Sequence, residues 1–318
     1  MKKVLIAAAL TLAATAAMAK TDAMSLIPND AVTVGVIRIN QIRTSAIASM
    51  LFENTDHVTA NGDADRFLTE AGLDPTKDID LVVVATSPRT SLGHDADVVV
   101  IADGRFNVDR LTKALVTRGA TRKTSANGAY FTFPDSDTKG VVAFPDSHQA
   151  IMGNEPAVIA ALATRANGGS TFATTGLLGA NMNRLDSNAT AWALVDVTRA
   201  SRLTGGAHIP QGGDATHQAL AAAVHNISTV GFWATDTGDA VKLGAFGLAN
   251  DADTLQLVED TLRGALSAMR LAVKDSQPDL VSVLRRFEVD RANDSVRISG
   301  TIPADSLRKL MVKHNAAK

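Results

Sequence analysis

The chain has 318 residues, a formal net charge of −2, 46% hydrophobic and 20% charged residues, and no cysteine. The missing thiol excludes disulfides, thiolate metal sites and a lipid-modified N-terminal cysteine. The mildly acidic balance argues against nucleic acid or an anionic membrane surface as partner, because both demand clustered Lys and Arg. At ~150 residues per domain the length predicts about two domains.

Residues 1–19 read as a secretory signal peptide. Lys2 and Lys3 form the basic start, an Ala- and Leu-rich run follows, and Ala17-Met18-Ala19 is a small-x-small cleavage site. Cleavage leaves a mature chain starting at Lys20, with no remaining run of ~18 apolar residues to anchor it in a membrane. The expected location is the periplasm or the medium.

The first unit, residues 20–165, opens with a polar leader and a strand over 32–39. The spacing of Ile42, Ala46 and Met50 predicts a helix over about 42–53. A second helix starts after Gly62 and stops at Gly72, with Pro75 just beyond. Two β-branched runs at 79–87 and 96–103 predict strands that are buried on both faces or central in the sheet. Asn107 caps a helix that ends at Gly119. Strands are expected around 129–134, 140–145 and 149–153, then a helix opening at Glu155-Pro156.

A Gly-, Thr- and Ser-rich linker is placed at 166–176, and a second unit over 177–318 repeats the order. Strands at 191–197, 227–236 and 240–249 match those at 32–39, 79–87 and 96–103. The helix 252–273 has Leu255, Val258, Leu262, Leu266, Met269 and Val273 on one face. Asn107 and Asp251 stand 144 residues apart in matching contexts, and Ile151, Gly153 and Pro156 match Ile298, Gly300 and Pro303 at 147. The predicted fold class is α+β: two similar tandem units, each a mainly antiparallel sheet covered by helices on one face. Chance order of two common patterns is the alternative.

The segments LIPNDAVTVGVIRI (26–39) and ADGRFNVDRLTKAL (102–115) give residues 26–165 a diffuse resemblance to uncharacterised secreted bacterial proteins built from domains of unknown function. That resemblance implies an envelope location and a duplicated α+β fold, and it brings no active-site residues.

Chemistry-bearing motifs are sparse. Ser306 and Lys309 fit the S-x-x-K pattern of penicillin-binding proteins, as do Ser136 and Lys139, but S-D-N and K-T-G are absent. Ser306 and Lys309 read instead as first-turn and solvated positions of a terminal helix. The seven histidines form no H-x-x-x-H, and His217 and His225, on one helix face, would stand about 12 Å apart. No catalytic residue, metal site or cofactor is expected. Trp192 and Trp233 lie within apolar runs and read as core.

The most irregular segment carries Thr204, Gly205, Gly206, His208, Ile209, Pro210, Gly212, Gly213 and Asp214. It reads either as a tolerated insertion or as a contact loop for a partner. The functional expectation is a non-enzymatic periplasmic binding or scaffolding protein whose ligand is unknown. The alternatives are a carrier of an apolar ligand held between sheet and helices, and a hydrolase with an unrecognised site.

Overall fold

A computed structural model describes residues 22–43, 63–89, 96–133, 140–203, 227–275 and 277–309. Among the described residues, twelve strands form one antiparallel sheet. In chain order they are β1 Thr33–Ile37, β2 Ile79–Pro88, β3 Ala96–Gly104, β4 Thr121–Ser125, β5 Gly128–Thr132, β6 Gly140–Asp146, β7 Gln149–Asn154, β8 Ala191–Asp196, β9 Thr229–Asp236, β10 Ala240–Leu248, β11 Glu288–Arg291 and β12 Ser295–Pro303. Their spatial order is β11-β12-β10-β9-β8-β1-β2-β3-β7-β6-β5-β4. The first strand of each half, β1 and β8, pair at the middle, Val34 opposite Leu194 and Val36 opposite Trp192. Outward from that seam the halves run β1-β2-β3-β7-β6 and β8-β9-β10-β12-β11. The expected pair of separate sheets is therefore one continuous sheet.

The helices are α1 Ile39–Ile42, α2 Asp63–Ala71, α3 Pro75–Asp78, α4 Val108–Thr117, α5 Glu155–Ala166, α6 Phe172–Thr175, α7 Val197–Leu203, α8 Ala252–Val273 and α9 Pro278–Leu284. Local signals set their ends. Asn107 and Asp251 accept backbone N–H bonds at the starts of α4 and α8, from Arg110 and Thr254. Gly72 ends α2 in the left-handed region, at φ 64°, where a side chain is costly. Asp74 caps α3; its carboxyl is held down to about 2, first by Lys77 and then by the hydroxyl of Thr76.

The expectation that helices cover one face is corrected. Val158 and Leu162 of α5 join Val83, Ile101 and Ile151 in the main core. Phe67, Leu111 and Ala114, from α2 and α4, pack with Val82, Ala102 and Ala150 on the opposite face. Neighbouring strand residues point to opposite sides, so the valine runs of β2 and β3 take cover on both, completely on the α5 side and only in part on the other, where Val84 and Val98 stay exposed. In the second half α8 and α9 lie with Val289 and Val296 in a separate cluster. Leu255, Val258 and Leu266 are buried there as expected, but Met269 is exposed, because it has drifted off the buried stripe of the long helix. The charged strand β4, the short helix α9 and β11 carried too little apolar alternation to be read from sequence.

Residues 166–176, expected to be a linker, run mostly exposed over the sheet but anchor one side chain, Phe172, in the core. Phe172 and Leu178 are among the largest fully buried side chains of the protein. Ser170 donates its N–H to the Ser25 carbonyl at 2.6 Å, and the Asn29 side chain reaches the Thr171 hydroxyl at 3.1 Å. A 3-10 turn over Gly179–Arg184 follows. Gly179 lies so close to the Phe172 carbonyl that an added Cβ would stand 1.8 Å from it. Arg184 then makes a paired ion contact with Asp294, at 2.5 and 3.1 Å. This strap runs over the same sheet face as α5 and ties the N-terminal turn Ala23–Leu26 to the far half. Its Gly and Thr content looked like linker composition, yet Gly176 and Gly179 serve close packing against Phe172.

Candidate functional site

The central strands sort their side chains by size. In β1, Val34 and Val36 point to the strap side and are buried, while Gly35 and Ile37 point the other way. In β8, Trp192 and Leu194 are buried on the strap side, while Ala191 and Ala193 face opposite. Trp192 sits directly across from Trp233, so both tryptophans are core, as their apolar context implied. Bulk on one face and Gly or Ala on the other leaves a trough along the β1–β8 seam.

Register extends the trough across six strands. One row runs Val84, Gly35, Ala193, Phe232, Ala245, Ile298, and the next runs Val82, Ile37, Ala191, Ala234, Leu243, Gly300. Five interstrand steps of ~4.8 Å make it about 24 Å long. Phe287 stands at the far end with its ring over Gly300, where an added Cβ would stand 2.5 Å from the ring. The resulting cavity has a volume of about 580 Å³ and is walled almost wholly by carbon. Ile37 is 40% exposed, Val84 39% and Phe232 50%, although all three stand on central strands. Beyond Val84 the apolar strip continues over Val98 and Met152, which are exposed as well.

Charge keeps to the margins. Arg43 pairs with Asp80 at 2.5 Å and donates to the Thr76 and Ile79 carbonyls beside the start of β2. Helix caps and ion pairs outside the trough hold the groups whose titration is moved by their neighbours. The Tyr130 hydroxyl and then Lys123 hold Glu155 below the usual carboxylate range, and Arg184 does the same for Asp294. A second cavity of about 370 Å³ lies between α8 and β11, lined by Arg263, Leu266, Ser267, Arg270 and residues 287–290. Among the described residues no three His, Asp or Glu side chains gather as metal ligands. No described helix is long and apolar enough to cross a membrane.

Thr204, Gly205, Gly206, His208, Ile209, Pro210, Gly212, Gly213 and Asp214 lie outside the described residues, as do the signal peptide, most of the helix expected over 42–53, and Ser136 with Lys139. Ser306 is half-buried in the helix after β12, and Lys309 pairs with Asp279 at 3.6 Å. Trough residues escaped sequence reading because Gly35, Ala191 and Ala193 carry no chemistry. The available signal was a glycine in the interior of a central strand, which weakens the strand unless something must approach it.

No family model matches the chain, and no curated protein matches it. Solved structures do. Crystal form III of TP0453 aligns over 91% of this chain and 97% of its own, with a TM-score of 0.54 at 12% identity. Form IV aligns over 91% and 96%, at 0.50 and 11%. The fold resembles that of TP0453. At such identity the likeness extends to the architecture of an antiparallel sheet with helices, and to nothing further.

Proposed function

We propose that this chain is a non-enzymatic binding protein of the bacterial envelope that takes an elongated apolar ligand in the trough over β1 and β8. Gly35 carries the reading. A glycine in mid-strand costs ~0.5–1 kcal/mol against alanine. Such a residue is retained where a backbone or a ligand comes close. Nothing lies within 4 Å of where its Cβ would be, so no protein atom described here explains it. The volume falls in the ~300–1,000 Å³ range of small-molecule sites, and an exposed apolar strip on central strands is what a binding surface looks like. The carrier reading is thus favoured over a scaffold or a hydrolase. The mature chain, titrated with N-phenylnaphthylamine, should show saturable one-to-one binding with a blue-shifted emission. Absence of saturable binding would sink the reading.

The envelope location rests on the signal peptide. Ala23, four residues past the cleavage site, is fully buried and donates its N–H to Asp103 at 2.8 Å, so processing before Lys20 leaves the folded part whole. N-terminal sequencing of periplasmic protein is expected to start at Lys20; retention of Met1 on cytoplasmic protein would count against it. The two halves are read as tandem copies of one unit. Their like strand order outward from the β1–β8 seam supports this, with β4 and β5 as an extension of the first copy.

A further inference from the structure

We infer that the ligand is a single-chain amphiphile with an anionic head, its tail along the trough and its head in the arginine-lined cavity between α8 and β11. This rests on the trough being the binding site. The two cavities share one lining residue: Phe287 stands at the far end of the apolar trough and also lines the polar cavity. The ends of the trough differ in polarity. Toward β2 and β3 the surface continues as Val84, Val98 and Met152, which offer a polar head nothing. Toward β11 it reaches Arg263 and Arg270.

Both guanidiniums are held in place by the backbone. Arg263 donates to the Val289 carbonyl at 2.6 Å, and Arg270 donates to the Leu284 and Phe287 carbonyls at 2.9 and 3.2 Å. Those bonds use Nη2; Nε of Arg270 donates to the Leu284 carbonyl at 3.2 Å and Nε of Arg263 to the Glu259 carboxylate at 3.1 Å, and neither Nη1 has a hydrogen-bond acceptor among the described residues. The corner is also cationic on a chain that is net negative. Arg263, Arg270, Arg291 and the exposed Arg285 and Arg286 just before Phe287 outnumber Glu259, Glu288 and Asp290; Glu259 is shared between Arg263 at 2.9 Å and Arg291 at 3.1 Å. Pre-oriented guanidinium N–H groups are the donors that carboxylate and phosphate oxygens match best. A slender tail suits a trough two residue rows wide and about 24 Å long.

The test is displacement of N-phenylnaphthylamine from the mature chain by four amphiphiles of equal length, each below its micelle concentration: hexadecanoate, hexadecyl phosphate, hexadecanol and hexadecyltrimethylammonium. The two anions should displace the probe about tenfold more tightly than the alcohol, and the cation more weakly than all. Carboxylate ahead of phosphate would mark a free fatty acid as the source, and the reverse a phosphoryl head. Arg263→Gln and Arg270→Gln should each erase most of the anion preference while leaving hexadecanol affinity within about threefold. Arg270→Lys covers the case in which losing the carbonyl bonds unfolds α9. Equal displacement by all four, or an anion preference that survives both substitutions, overturns the inference and leaves the trough standing. Failure of the probe itself to bind overturns the trough and the inference together.

Discussion

A Gly35→Leu variant is expected to fold, to be at least as stable as the parent, and to lose affinity for an apolar probe by tenfold or more. Its Cβ enters empty space and its backbone needs no left-handed conformation, so the substitution brings no strain. Removing a strand-interior glycine should add about 0.5–1 kcal/mol of stability. The isobutyl group then occupies the seam between Val84 and Ala193, in the first of the two rows, where a tail must pass. Gly35→Ala should lie between parent and leucine, which gives a graded series. Thermal melting and probe titration on the same preparations check it. Undiminished binding by a stably folded leucine variant would show that the ligand does not lie over β1.

Phe172→Ala should cost about 3–5 kcal/mol, a large share of a typical stability of ~5–15 kcal/mol. The ring is 1% exposed and sits in the core cluster that joins Val83, Ile101 and Ile151 of the first half to Leu194, Trp233 and Phe246 of the second. Because that cluster crosses the seam, both halves should unfold together. Tryptophan fluorescence, which reports only Trp192 and Trp233, and far-ultraviolet circular dichroism should then give one urea transition, shifted equally by the substitution. Two separable transitions, with only one moved by Phe172→Ala, would restore residues 166–176 as a linker between independent units.

How far the sequence could be read varies from element to element. The bounds of α8, predicted at 252–273 and found at Ala252–Val273, were legible because a 3.6-residue apolar stripe and an Asp251 cap coincide there. The matched strands β1, β2 and β3 against β8, β9 and β10 were equally plain, being apolar runs bounded by turns. The strap was misread because glycine is ambiguous: the same residue marks a flexible join and a close approach such as Gly179 against Phe172. The trough was not legible at all. Gly35, Ala191, Ala193 and Ala234 are far apart or chemically silent in the chain, and antiparallel register alone makes them neighbours.

Local chemistry therefore determined the secondary structure, the caps and the α+β class, since each depends on residues within one turn or one strand of each other. Tertiary structure decided what depends on partners distant in sequence. The pairing of β1 with β8 merged two expected sheets into one. Packing assigned helices to both faces and drew Phe172 into the core. Only the crossing of six strands placed small side chains in a row, with Phe287 at the end and Arg263 and Arg270 beyond it. Side-chain size is written along the chain, but an empty space is a property of many segments at once.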